Sequence, residues 1–290
     1  MHIIRAETAG FCMGVGLALR KLDQLLEEYP EDTAGRMVMF GPIIHNPQVL
    51  AEYASKGVVR ADTLDAVHSG DHVVIRAHGI PRQDEAQLLR LGAKVVDATC
   101  PKVKRAQLAI AEATACGTPL YLFGEAEHPE VRGLVSYTAG PCHIIGSLRE
   151  LQEQFPHIVD TAQDLVLAAQ TTQEREEFEA IRNWLGLRKQ STVLSTICDA
   201  TRRRQEEAAQ IAERVTGMIV VGGRDSGNTR RLADVVRSRG IPAWHIETPE
   251  EVSTLDALRE CSIIGITAGA STPRTIIDAV QRMLERQPLT

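Results

Sequence analysis

The chain has 290 residues, long enough for two or three small domains with real cores. Hydrophobic residues make up 43% and charged residues 24%, the balance of an ordinary globular protein, and the formal net charge is −6. The densest basic run is only Arg202-Arg203-Arg204, one solvated helix turn, which argues against extended nucleic-acid binding.

The amino terminus, MHIIRAETAG, reads as a strand with no basic or long apolar segment around it, so no secretory signal is expected. No apolar run approaches the ~18 residues that span a bilayer. These features predict a cytoplasmic protein with no membrane partner. Cysteines fall at positions 12, 100, 116, 142, 198 and 261, none of them in a Cys-x-x-Cys pair. A disulfide framework is not expected in that compartment.

Taken in order, the chain repeats itself. ETAGFCMGVGLALRKL carries Cys12 at a strand-to-helix junction. An apolar strand, Met37 to Phe40, then Gly41, leads to His45 and the helical pattern PQVLAEYASKG. A second strand, VVIRAHGI, ends at His78. The cycle restarts with DATCPKVKRAQLAIAEA and Cys100, the strand Leu120 to Phe123 with Gly124 and His128, the helix PEVRGLVSYTAG, and LVLAAQTTQ with Thr171. It runs a third time with STICDATRRRQEEAAQIAERV and Cys198, Met218 to Val221 with Gly222 and Ser226, NTRRLADVVRSRG, and IIGITAGASTP with Ser271. A glycine is expected to close each helix after the first strand.

The spacing supports a true repeat: 28 residues separate Cys100 from His128 and also Cys198 from Ser226. Alternating strands and helices predict an α/β fold with mostly parallel sheets. The repeat divides it into three similar units, residues 1–99, 100–197 and 198–290, around a pseudo-threefold axis. Function in such sheets gathers at strand carboxyl ends. The active site is therefore expected at the centre, with Cys12, Cys100 and Cys198 converging there.

Three thiolates suit an iron–sulfur cube with one open iron, and equally a three-cysteine zinc centre. Around them, His45, His78, Ser226, Asn228 and Ser271 occupy turns before helices, where free backbone N–H groups favour phosphate. Glu130 follows His128 and Pro129, placed to deliver a proton or merely to favour the helix dipole. Cys116, Cys142 and Cys261 are expected to be small buried hydrophobes. A pattern of apolar residues after Ile276 predicts a final amphipathic helix.

At this point the sequence resembles one family closely. The stretches AGFCMGV, HNPQVL, RAHGI, DATCP, GEAEHPEVRG, QTTQ, ICDATRRRQ, GGRDSGNTRRL and TAGASTP run in order from residue 10 to residue 273. They resemble the 4-hydroxy-3-methylbut-2-enyl diphosphate reductases of isoprenoid biosynthesis. The resemblance implies one [4Fe–4S] cluster per chain, held by Cys12, Cys100 and Cys198. It implies that His45, His78, Ser226, Gly227, Asn228 and Ser271 grip an allylic diphosphate, with His128 beside it. Glu130 and Thr171 would relay protons, and an electron donor such as ferredoxin or flavodoxin would dock.

Two positions depart from some relatives: Gly227 stands where a second serine occurs, and Ala169 where a threonine precedes Gln-Thr-Thr. A non-redox iron–sulfur hydro-lyase and a non-enzymatic zinc or anion-binding protein are the competing readings.

Overall fold

The computed structural model describes residues 2–29, 35–158, 164–186 and 191–286. It contains three four-stranded, all-parallel sheets. One is built from β2 (Met37–Phe40), β3 (Val59–Ala61), β4 (His72–Ile75) and β5 (Lys94–Asp97), in the order β3-β2-β4-β5. Helices α2 (Pro47–Ser55) and α3 (Arg82–Arg90) connect them, and α4 (Pro101–Ala113) leaves β5. The next has β6 (Leu120–Phe123), β7 (Cys142–Ile145), β8 (Val166–Ala169) and β9 (Thr192–Val193), in the order β7-β6-β8-β9. Its helices are α5 (Pro129–Val135), α6 (Leu148–Gln154) and α7 (Arg175–Leu185), with α8 (Asp199–Ala212) leaving β9.

The last sheet repeats this order with a permuted chain. β11 (Ala243–Ile246), β10 (Gly217–Val221) and β12 (Ile263–Ala268) are joined by α9 (Gly227–Arg237) and followed by α10 (Arg274–Glu285). Its fourth place is filled by β1 (His2–Arg5), which pairs with β12 from His2↔Ile263 to Arg5↔Ile266 and leads into α1 (Met13–Glu28). A division at residue 99 groups β1 with the first unit, whereas its hydrogen bonds put it in the third sheet. Sheet membership is decided by pairing at long range, not by proximity along the chain.

The middle strands explain the apolar runs. MVMF, LYLF, VLAA and GMIVV are buried at every position, because helices on both faces of a parallel sheet leave no wet side. The permuted sheet encloses the largest described core, with Met218, Ile219, Val221, Leu232, Ile264 and Ile266 at or near zero exposure. Among the described residues no helix is long and apolar enough to cross a membrane.

By proximity the chain forms two compact units. The smaller comprises Met1–Gly16, Ile44–Glu52 and Asp199–Thr290; the larger comprises Leu17–Ile43 and Tyr53–Cys198.

Two expectations need correction. Gly57 and Gly240 do close their helices in the left-handed region, at φ 82° and 79°. Gly140 does not: α5 ends at Ser136 through bonds to Arg132 and Gly133 carbonyls, and Gly140 instead allows close approach to Gly117 and Thr118. Cys116 is exposed, in the turn after α4, while Cys142 and Cys261 are half-buried.

His72 opens β4, is buried, and lies 3.9 Å from the Tyr29 ring centroid. Lys94 Nζ donates to its Nε2 at 3.3 Å, which requires a neutral imidazole. Burial first, and the Lys94 ammonium second, push its pKa below the ordinary value. The unfolded chain then takes up a proton near pH 6.5 that native His72 refuses, so stability is lost as pH falls through about 6.5. Urea titrations at pH 7 and pH 5 should show this loss, and His72→Gln should reduce it; an undiminished loss in the variant would place the sensitive group elsewhere.

Candidate functional site

The carboxyl ends of the sheets carry the same backbone hydrogen bonds in each repeat. Gly41, Gly124 and Gly222 directly follow the first strand of their sheets. Their N–H groups donate to Ala61, Ile145 and Ile246, the last residues of the neighbouring edge strands, at 2.7, 2.9 and 2.9 Å. Cys12, Cys100 and Cys198 donate their N–H groups to Ala270, Ala77 and Thr171 at 3.1, 2.9 and 2.9 Å. Each acceptor lies two residues beyond the end of the third strand in its sheet's order, β4, β8 or β12.

These bonds revise the repeat register. Thr171 is the equivalent of Ala77 and Ala270, so Thr172, not Thr171, corresponds to His78 and Ser271. Gln170, fully buried, donates its Nε2 to Thr172 Oγ1 at 3.2 Å. A second slip occurs at the first helices. His128 and Ser226 are N-caps, their side chains accepting from Glu130 N and Thr229 N. In the first repeat the capping side chain is Asn46, whose Oδ1 accepts from Val49 N at 3.0 Å, leaving His45 one residue outside the helix. Counting residues from glycine cannot reveal an extra residue in a turn; capping geometry does.

In the larger unit, Cys100 sits at the N-cap of α4 with Pro101 at the first helical position, where the missing N–H is tolerated. The His78 and His128 rings meet edge to face, with centroids 5.3 Å apart. His128 Nδ1 accepts from Glu130 N at 3.1 Å, so a neutral His128 carries its proton on Nε2.

Glu130 is 1% exposed. Thr171 holds both of its carboxyl oxygens, donating N–H to Oε1 at 2.6 Å and its hydroxyl to Oε2 at 3.0 Å. The same residue's carbonyl accepts from Cys198 N. One threonine therefore joins a buried carboxyl group to a thiol-bearing junction.

In the smaller unit, Cys12 Sγ accepts from Val15 N at 3.5 Å at the start of α1, where helix N–H groups favour negative charge on sulfur. Ser271 Oγ donates to the His45 carbonyl at 3.0 Å. A Cβ on Gly223 would lie 2.7 Å from that same oxygen, so only glycine lets the loop pass His45 so closely. At the start of α9, Ser226 Oγ accepts from Thr229 N at 3.3 Å, leaving its own proton available. Asn228 is 9% exposed, and its buried Nδ2 donor has no partner among the described residues. An acceptor is missing there, and an anion at this helix terminus would supply it.

Three parallel sheets, each with a cysteine at an equivalent strand-to-helix junction and hydroxyl, amide or imidazole groups on its turns, define an α/β protein of repeated units. The chain belongs to the LytB protein family, whose model matches residues 3–285. It is 56% identical over 292 residues, 98% of this chain and 99% of the relative, to a 4-hydroxy-3-methylbut-2-enyl diphosphate reductase from Nitratidesulfovibrio vulgaris (strain DP4). A solved (E)-4-hydroxy-3-methyl-but-2-enyl diphosphate reductase, the terminal enzyme of the non-mevalonate pathway, is 37% identical. It matches with a TM-score of 0.68, covering 99% of this chain and 100% of that one. The fold is also that of a Plasmodium falciparum E-1-hydroxy-2-methyl-but-2-enyl-4-diphosphate reductase, at 23% identity and a TM-score of 0.89, covering 99% of this chain and 89% of that one.

Thr171→Ala removes one of the two hydrogen bonds from Thr171 to buried Glu130 and should lower stability by about 1–3 kcal/mol. Thr171→Ser should recover most of it. Equal losses in the two variants, by urea denaturation, would show that the methyl group matters and the hydroxyl does not.

Proposed function

We propose that this protein reduces 4-hydroxy-3-methylbut-2-enyl diphosphate, consuming two electrons and two protons and releasing water, to give isopentenyl and dimethylallyl diphosphates. The observation that carries the reading is the buried Glu130 carboxyl, gripped through Thr171 beside the Cys198 junction. A purely structural thiol centre needs no carboxyl group held this way, and family membership supports the same chemistry.

The donor set fits an iron–sulfur cluster: Cys12, Cys100 and Cys198 are all free of disulfides and begin helices. In this reading those three sulfurs hold a [4Fe–4S] cluster. When bound, such a cluster would supply single electrons and a Lewis-acidic iron.

The chain's own residues do the rest. Ser226 offers its hydroxyl proton, Asn228 its buried amide, and Gly227 and Asn228 the backbone N–H groups at the start of α9, to the diphosphate, and Ser271 joins them when its hydroxyl turns from the His45 carbonyl it bonds here. His45 and His78 add imidazole donors. His128, proton on Nε2, faces the substrate, and its Nδ1 bond to Glu130 N keeps that tautomer. Glu130 delivers protons by way of the Thr171 hydroxyl, which hydrogen-bonds its Oε2. Since Thr171 fixes both carboxyl oxygens, the proton leaves from one place. Thr172, equivalent in backbone register to His78 and Ser271, joins the diphosphate-binding set.

Anaerobic purification with iron, sulfide and zinc analysis, and turnover with a reduced viologen dye, test the reading. Dye consumption dependent on the hydroxylated allylic diphosphate is the expected result; protein prepared without air that holds zinc and no iron would end it. Glu130→Gln should keep iron and visible absorption but lose about 100-fold or more in kcat. Cys198→Ser should lose most of its iron. Asn228→Ala should raise KM by about tenfold or more, the cost of one hydrogen bond to a charged group.

A further inference from the structure

A reductase must receive its electrons. The sequence has no Gly-x-Gly-x-x-Gly stretch, the usual mark of a bound dinucleotide reductant. The larger unit has one surface suited to delivery from outside. An open groove of about 580 Å³ runs between α1 and α4, lined by Leu17 and Lys21 on one side and Lys104, Arg105, Leu108 and Glu112 on the other.

Three features set it apart. First, Cys100 immediately precedes α4, and Leu108 lies about 12 Å further along its axis at 1.5 Å per residue. Second, α4 opens with Lys102, Lys104 and Arg105 and has no acidic residue in its first turn. Cations at a helix's positive end weaken the helix; the Asp97 and Glu85 carboxylates offset this for Lys104. Lys21 and Lys104 are steadied by Asp97, through its carbonyl at 2.6 Å and its carboxylate at 3.1 Å, while Arg105 is exposed. Third, Leu108 is 59% exposed among these charges. A small inorganic anion gains nothing from an exposed leucine. An apolar contact rimmed by cations is the anatomy of a small transient protein interface, the size class of electron-transfer encounters.

We propose that the groove between α1 and α4 docks a small acidic one-electron carrier protein, which reduces the centre held in part by Cys100. The proposal rests on the reductase reading above. Each docking oxidises one carrier by one electron, and two dockings supply the pair that, with two protons, converts the substrate C–OH to C–H and water. A basic patch matters here because the enzyme's net charge of −6 otherwise repels an acidic carrier.

The test compares two reductants on the cluster-loaded enzyme: a reduced viologen dye, which needs no docking face, and a reduced acidic [2Fe–2S] ferredoxin. Arg105→Glu/Leu108→Glu should leave dye-driven turnover within twofold of the parent. Ferredoxin-driven kcat/KM should fall at least tenfold and lose its decline with added salt, whereas Arg149→Glu, on exposed α6, should change neither. Ferredoxin-driven turnover unchanged in the double variant would overturn the docking site while the enzyme reading stood; a parent enzyme inert with dye would overturn the enzyme reading itself. Should both rates fall together, calorimetric affinity for oxidised ferredoxin decides: a tenfold loss upholds the site, and undiminished affinity overturns it.

Discussion

Each thiol-bearing junction is tied to the fold by one main-chain hydrogen bond, from the cysteine N–H to the carbonyl two residues past the end of the sheet's third strand. That bond spans adjacent parallel strands at their carboxyl ends. It therefore follows the pairing of the fourth strand of each sheet with the third. For Cys100 the pairing is β4 with β5, and for Cys198 it is β8 with β9. For Cys12 it is β12 with β1, residues drawn from opposite ends of the chain. The cysteine main chain in every repeat thus depends on sheet register, set against the buried third strands β4, β8 and β12.

The same junctions gather the polar groups, and they do so economically. Thr171 uses its carbonyl for Cys198 N, its amide for Glu130 Oε1 and its hydroxyl for Glu130 Oε2. A buried carboxyl group is costly unless its oxygens are bonded, and here the bonds that reduce the cost also aim the group. His128 behaves alike: capping α5 through Nδ1 leaves its Nε2 as the donor end. Stability and the proposed proton delivery would draw on the same contacts.

Asn228 is the contrary case. Its buried amide donor has no protein partner among the described residues, and Thr229 Oγ1, beside it on α9, is likewise unsatisfied. Unsatisfied donors and hydroxyls cost stability in the free protein and recover it when an anion binds. An anion at the start of α9, as proposed above, would accept from the Asn228 amide.

Much of this architecture was legible in the residues. The runs MVMF, LYLF and MIVV announce strands buried on both faces, glycine follows each, and the recurrence of Cys, Gly and a capping polar residue discloses a repeat because identical backbone tasks select identical residue types. The resemblance of ordered motifs from AGFCMGV to TAGASTP points to the family. Tertiary structure decided what depends on pairing across the chain. It transferred β1 to the sheet of residues 217–268, because strand hydrogen bonds take the partner that completes the sheet, wherever it lies in sequence. It also set the repeat register, putting Asn46 in the capping place beside His45 and aligning Thr172 with His78, because turns absorb an extra residue without trace in the count while a hydrogen bond reaches only one carbonyl.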